Sequence, residues 1–429
     1  MKGRFIVENI DVSENRARIR YTAEGGLGRF FNTETFYVEY SSDISDVPTE
    51  IVLIPLLANV APVCWATDSE IHVPSIDAEF VDSLEEVRDG FSELYPMFTG
   101  SSSIHGERVN MQANGSGESG MLFSGGVDSL ATFIRHRDEK PTLFLAQGID
   151  IDLDQDSAWN RTLNYAKNFA DTYDTEVQTM KTNCYSFVSR QMLSAHFGEE
   201  ITDNSWWSGV QHGMGLLGLC APIAYKQGLS DLYIGSTHTE SFDRPWGSHP
   251  KVDNQVFWRG TQCHHDSHDI TRQQKIQVIA DHSEDKNSSL QIRSCFNSSD
   301  GGNCGVCEKC CRTIIGLDLV DVVPSDYGFP VELDQQYYDH VQMGFEDGRW
   351  RLGYDELYMW TDLQNHITEE VLSKSGPRAD FYRWLSSLNL REYRQVRSTS
   401  TKNRLLWWTA RKVPKPVFDL VYSIYNRVT

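Results

Sequence analysis

The chain has 429 residues, 40% of them hydrophobic, and carries 39 Lys and Arg against 60 Asp and Glu, a formal charge of −21. This length predicts two or three domains with real cores, and the acidic balance opposes phosphate backbones, so nucleic acid is not the expected partner. Met1-Lys2-Gly3-Arg4 leads into alternating residues rather than an apolar block, and no run approaches the ~18 apolar residues of a span, so the expectation is a soluble, cytoplasmic chain without a membrane partner.

From Phe5 to about Cys64, short apolar and polar pieces alternate, as in Ala17-Arg18-Ile19-Arg20-Tyr21 and residues 35–40 and 51–54. This is strand periodicity, and it predicts a β-rich N-terminal domain which, with its linker, covers residues 1–115. Phe80, Leu84, Val87, Phe91 and Leu94 fall at helical spacing, and the polar stretch 100–120 reads as the linker. Beyond it, predicted strands at 142–146, 176–180 and 232–235 alternate with predicted helices at 158–173 and 210–226. That alternation predicts an α/β domain with a doubly wound parallel sheet over residues 116–325. From about Val331 the pattern is helical and rich in Trp and Tyr, which predicts a helical C-terminal region over residues 326–429.

The stretch FSGGVDS, Phe123 to Ser129, follows the apolar run Met121-Leu122 and precedes the helix-compatible run Leu130 to Ile134. On such a strand-to-helix turn, Gly125 and Gly126 let the main chain bend close to a ligand. The free N–H groups of Val127, Asp128 and Ser129 in the following first turn make an anion cradle. A carboxylate at Asp128 beside a polyphosphate calls for a hard cation between them, so Mg²⁺ and a nucleotide are implied together. There is no lysine in the turn, which argues against a Walker-type grip. Ser124 and Ser129 read as phosphate donors, because no histidine in the motif activates them as nucleophiles. The alternative is a glycine turn whose serines merely cap a helix.

Nine cysteines, five of them between Cys295 and Cys311, suit metal ligation in a reducing compartment better than a disulfide frame. Cys295, Cys304, Cys307 and Cys310 give C-x8-C-x2-C-x2-C, a set that suits a closed tetrahedral Zn²⁺ site contributing folding energy; Cys311 is the odd one out. Ordinary buried thiols are the other reading.

SGGVDS resembles the PP-loop of the ATP pyrophosphatase group, in which the loop embraces the pyrophosphate that leaves when ATP gives AMP to a substrate oxygen. With SCFNSSDGGNCGVCEKC some 170 residues later, residues 121–312 resemble the 7-cyano-7-deazaguanine synthase (QueC) family. That resemblance implies an adenine nucleotide α-hydrolase-like fold, a structural zinc, and ATP-dependent conversion of a carboxydeazaguanine into an amide and then a nitrile. The chain departs from the family where PGRN is replaced by SGVQHG (208–213) and YPDCR by PWGSHPKVD (245–253). With its added terminal regions it is more similar to the long QueC-like proteins of bacterial anti-phage gene clusters. This implies a small-molecule carboxylate, a 7-carboxy-7-deazaguanine, activated by ATP and joined through an amide, with an amine on a partner protein as one acceptor. Asp128, Ser124 and Ser129 are the catalytic candidates, and residues 124–129 together hold the nucleotide.

The remaining signals are weaker. In PWGSHPKVD, Trp246 offers a stacking face, His249 a hydrogen bond and Lys251 a cation for a substrate carboxylate or phosphate, or the segment is a structural turn. His264, His265 and His268 read as solvated loop histidines rather than ligands, and Asp150, Asp152, Asp154 and Asp156 as a solvated acidic loop. Trp206 and Trp207 read as core. The segment 391–427 carries nine Lys and Arg against Glu392 and Asp419, and reads as a basic helix closing its own domain or as a docking surface. Two other functions stay open. An adenylating tRNA sulfurtransferase would need a catalytic cysteine near the loop, with Cys184, Cys220 and Cys263 as candidates. A non-catalytic ATP-binding defence module would hold ATP without releasing AMP.

Overall fold

The structure is a computed structural model that describes residues 2–100, 102–111, 115, 117–198, 200–286, 290–295, 298, 300–394 and 401–428. Among the described residues, eleven strands form one sheet: β1 (Gly3–Ser13), β2 (Arg16–Gly25), β3 (Thr35–Tyr40), β4 (Glu70–Asp77), β5 (Ile104–Val109), β6 (Glu118–Leu122), β7 (Thr142–Gln147), β8 (Val177–Thr182), β9 (Leu229–Gly235), β10 (Phe257–Trp258) and β11 (Thr261–Asp266). Their spatial order is β10-β11-β9-β6-β7-β8-β3-β2-β1-β4-β5. The block from β11 to β8 is parallel throughout, whereas β1, β2 and β3 pair antiparallel, so the sheet is mixed and mostly parallel. The N-terminal strands extend the parallel block through the antiparallel pairing of β3 with β8, where Val38 faces Thr182. Asn183 clips this seam by accepting from Tyr37 N at 2.9 Å and donating to Thr35 O at 2.9 Å.

Alternation along β7 divides the interior into two cores. Phe144 faces the core that holds Phe5, Ile19, Val38, Met180 and Leu232, and Leu143 and Leu145 face the one that holds Met121, Phe123, Val127, Ile279, Ile314 and Trp360. The helices thus cover both faces, as buried parallel strands require. The C-terminal region is shared between the faces. Helices Gln335–Glu346, Tyr354–Asn365 and Pro377–Ser387 close the second core, while Leu406, Ala410 and Phe418 join the first.

Several local expectations change. Residues 51–54, expected as strand, lie in helix Thr49–Val52 and at the start of helix Ile54–Ala66. The latter is buried on every side, and a continuous apolar run carries no period by which a strand could be told from such a helix. The expected linker contains β5, which pairs parallel to β4, and the expected helix over 210–226 is a π-helical turn, Trp207–Gln211, followed by helices His212–Leu219 and Ala221–Gln227. His264 and His265 sit on β11 rather than in a loop; His265 is buried against Asp253 at 2.8 Å, and His264 Nε2 meets Asp231 at 2.6 Å. Within the basic segment 391–427, residues 395–400 and the side chains of 401–405 and 426–427 lie outside the described residues. Residues 391–394 lie against helix Tyr354–Asn365, while helices Thr401–Lys412 and Lys415–Val428 pack on helix Arg190–Phe197 and Arg29 donates to Val413 O at 2.6 Å. Among the described residues, no helix is long and apolar enough to cross a membrane.

Candidate functional site

The chain leaves β6, runs outward to β7 and β8, and returns to the other side of β6 with β9, so the sheet switches direction between β6 and β9. Crevices form at the carboxyl ends of strands at such a point. FSGGVDS lies there, on the turn from β6 into helix Val127–His136. Gly125 has φ +72°, and a Cβ on it would stand 2.7 Å from Tyr165 Cε1, so both conformation and space call for glycine. Its carbonyl accepts from Arg293 N at 2.7 Å. Ser124 Oγ accepts from Gly126 N at 3.3 Å and lies 3.3 Å from Ser129 Oγ, which donates to Gly126 O at 3.1 Å. The two serines thus hold the turn closed. The close fit continues to β9, where a Cβ on Gly235 would stand 2.8 Å from Asp128 O.

Two cavities meet at this turn. A recess of about 80 Å³ is bordered by Ser124, Gly126, Val127, Asp128, Asp150, Arg272, Arg293 and Lys309. A larger cavity of about 230 Å³ shares Ser124, Asp128, Asp150, Arg293 and Lys309, and adds the apolar walls Phe123, Phe144, Ile149, Ile151, Leu216 and Ile234, with His212 and Thr237. One end is thus cationic and the other an apolar slot.

The cations come from three places. Arg272 Nη1 reaches Asp128 Oδ2 at 3.2 Å, and Lys275, one turn on in the same helix, lies 3.6 Å from Asp128 Oδ1 and donates to Ser236 O. Lys309 stands between Cys307 and Cys310. Burial alone would raise the Asp128 carboxyl, but Arg272, Lys275, Lys309 and His238 together hold it below its ordinary value. Burial pushes the Lys309 amine down to about 8, helped by Arg272 and Arg312 and opposed by Asp150 and Asp128. Arg272 and Arg293 border the recess, and their Nε atoms are buried without hydrogen-bond partners.

Helix Tyr354–Asn365 braces these elements. Asp362 accepts from Gln273 N at 2.9 Å, Trp360 Nε1 donates to Glu308 at 2.8 Å, and Asp355 meets His238 Nε2 at 2.7 Å. Burial would raise Asp355, yet the bond to His238 and the charges of Arg312 and Arg272 hold it well below the carboxylate range. The C-terminal region therefore contributes a carboxylate within the field of the Asp128 cluster.

The four cysteines converge: the sulfurs of Cys295, Cys304, Cys307 and Cys310 all lie within 4.8 Å of one another. The Cys295–Cys307 and Cys304–Cys310 separations are 3.9 and 3.8 Å, against roughly 3.8 Å between thiolates on a tetrahedral zinc with 2.3 Å bonds. This set can hold a metal such as zinc. Cys307 N also donates to Cys304 Sγ at 3.3 Å, as knuckle amides do toward thiolates. Cys311 turns away, receiving Tyr337 Oη at 3.4 Å. The cluster's loop carries Lys309 into the recess, so a metal there would fix one wall of the other site.

The other expected residues are dispersed. Trp246 packs edge-on against His238 at 5.1 Å, the His249 ring accepts from Lys251 N at 3.1 Å, and Lys251 Nζ pairs with Glu93 at 2.5 Å on the surface; none of the three borders the two cavities. Burial lowers His249 to about 4. Trp206 is buried, as expected of core. Among the described residues, the groups close enough to share a metal are the four cysteines and Glu70 with His72 and His105, so His264, His265 and His268 form no such set. Asp150 borders both cavities rather than standing apart with Asp152, Asp154 and Asp156. Cys184, Cys220 and Cys263 are buried away from the cavities, with burial pushing each thiol up, Cys184 to about 12. Arg272, Lys275, Arg293, Lys309 and His212 were not anticipated. For Arg272 and Lys275 alone a sequence signal exists, their i,i+3 spacing on one helix face.

Comparison of the chain with protein-family models, with curated proteins and with solved structures finds no match.

Proposed function

We propose that the chain is an ATP-dependent, AMP-forming C–N ligase of the QueC-like kind, with an adenine nucleotide α-hydrolase-like nucleotide domain. Its substrate is a small-molecule carboxylate, a 7-carboxy-7-deazaguanine, which it activates and joins through an amide to an amine, with a partner protein as the acceptor in a defence setting. The observation that carries this reading is the union of a cationic recess with an apolar slot at the FSGGVDS turn. Polyphosphate suits the first, with Arg272 and Arg293 on its border, and a flat heterocycle suits the second.

In this reading the N–H groups of the first helical turn, with Ser124 and Ser129, bind the leaving pyrophosphate, and Arg272, Arg293 and Lys309 offset the charge that builds on it. Asp128 and Asp150 border the same recess and are the residues that would hold Mg²⁺, which when bound neutralises phosphate charge. The walls of the slot hold the carboxylate oxygen in line with the α-phosphate and exclude water from the activated acyl group. No protein nucleophile is required, which agrees with serines engaged in holding the turn. The sulfurtransferase alternative loses support from three cysteines that are buried and raised.

The test is product analysis: protein, MgATP and carboxydeazaguanine are incubated with and without an amine. AMP release with a mass-resolved amide is expected. Free nitrile without amide would assign the chain to the family's own reaction, and retained ATP without AMP to a binding module.

A further inference from the structure

The two segments at which the chain departs from its family resemblance are bonded to each other. Gly247 N donates to Ser208 O at 2.8 Å, and Gly213 N donates to Gly247 O at 3.1 Å. Between them the chain makes the π-helical turn Trp207–Gln211, a rare geometry that recurs at functional sites. The turn delivers His212, half-buried, to the wall of the 230 Å³ cavity that also holds Asp128 and Lys309.

A buried carboxylate lies against the next residue, Gly213. Asp253 is fully buried, and its Oδ2 is taken by Ser248 Oγ at 2.6 Å and His265 Nδ1 at 2.8 Å, while its Oδ1 is buried without a partner. That Oδ1 lies 2.1 Å from where a Cβ on Gly213 would stand, so only glycine after His212 lets the carboxylate come so near. His212 Nδ1 is likewise buried without a partner. The charged groups facing the ring are Asp150 and Asp253, which favour its cation, and His265 and Lys309, which oppose it.

His212 Nδ1 and Asp253 Oδ1 are thus both buried without a hydrogen-bond partner, and the negative charge of Asp253 favours the protonated ring. We infer that His212, on the cavity wall, is the base that takes the proton from the attacking amine, with Asp253 as the buried carboxylate whose charge favours the protonated ring, an assignment that rests on the ligase reading above. In the step, the nitrogen of a neutral primary amine bonds to the acyl carbon of the acyl-adenylate. The bond from that carbon to the AMP phosphate oxygen breaks, AMP leaves with the electron pair, and one proton passes from the new ammonium nitrogen to His212 and then to solvent. The acceptor class is therefore a primary amine delivered to the stretch of cavity wall that carries His212.

The experiment compares two acceptors in one protein sample. Methylamine needs a base to form an amide, whereas hydroxylamine is unprotonated and strongly nucleophilic at neutral pH. With MgATP and carboxydeazaguanine, His212→Gln is expected to lower the ratio of methylamide to hydroxamate by at least ~10²-fold. Asp253→Asn should lower the same ratio by a smaller factor. Carboxylate-dependent ATP–pyrophosphate exchange in the same sample reports that the protein is folded and activates its substrate. A ratio that stays at the unaltered value, with exchange present, overturns the base assignment and leaves the ligase reading standing. If His212→Gln does not fold, the Asp253→Asn ratio decides in the same way. Absence of exchange in the unaltered protein removes the ligase reading, and the base with it.

Discussion

Arg272 Nη1 lies 3.2 Å from Asp128 Oδ2 and 3.3 Å from Oδ1, and Lys275 extends from the same helix to the same carboxylate. The acid of the FSGGVDS turn is therefore not an isolated metal ligand waiting on solvent. It is the anchor that holds two cations, Arg272 and Lys275, beside the recess.

Replacing Asp128 by Ala releases both cations and removes the carboxylate that would hold Mg²⁺. Exchange between ATP and pyrophosphate is expected to fall by at least ~10²-fold. Zinc content, measured by elemental analysis of the same sample, should stay unchanged, because the ion-pair partners of Asp128 are Arg272 and Lys275, outside the cysteine set. Undiminished exchange would remove Asp128 from the site.

The four cysteines and Cys311 should separate cleanly. Replacing Cys307 by Ser breaks the tetrahedral set and is expected to abolish stoichiometric zinc. It should also cost about 3 kcal/mol or more of stability, seen as a fall of several degrees in melting temperature. Cys311→Ser should retain the metal, since its sulfur points to Tyr337. Equal metal loss from both variants would contradict the geometry.

Glycine at the turn is required unequally. At Gly125, with φ +72° and Tyr165 2.7 Å from a new Cβ, alanine is expected to destabilise the protein by about 1–3 kcal/mol and to weaken ATP binding. At Gly126 the nearest obstacle is Ser124 Oγ at 3.2 Å and φ is −83°, so alanine should cost less. Urea unfolding and nucleotide titration of the two variants check the order.

Acid should loosen the contact between the C-terminal helices and the body. His196 sits between Phe30 and Phe197 beneath Ala410, and burial lowers its pKa to about 4. An unfolded imidazole binds its proton near ~6.5. Between those two values the unfolded chain binds more protons, so stability decreases as pH falls through the window and is fully present above it. His249, also at about 4, adds in the same direction. Replacing His196 by Asn is expected to flatten the slope of unfolding free energy from pH 6.5 to 4, and an unchanged slope would remove His196 as its source.

The strand-turn-helix context of FSGGVDS and the cysteine spacing were legible because each is local, with meaning fixed by a few adjacent residues. The parallel strands at 142–146 and 232–235 were legible from apolar runs between turn residues. Residues 51–54 misled, because a fully buried helix and a buried strand are both simply apolar. Arg272, Lys275, Arg293 and Lys309 were not legible as a cluster, since their convergence depends on helix packing across the second core and on the cysteine loop. Asp253 and Gly213, the residue after His212, come close behind a π-turn that periodicity does not announce.

If the site at Asp128 transfers AMP from ATP to a carboxylate and releases pyrophosphate, isotope exchange measures this without needing the acceptor. Labelled pyrophosphate should enter ATP when carboxydeazaguanine is supplied in a panel of carboxylates, and should not enter in its absence or with Asp128→Ala. ATP that binds yet exchanges no label with any carboxylate in the panel would contradict the account.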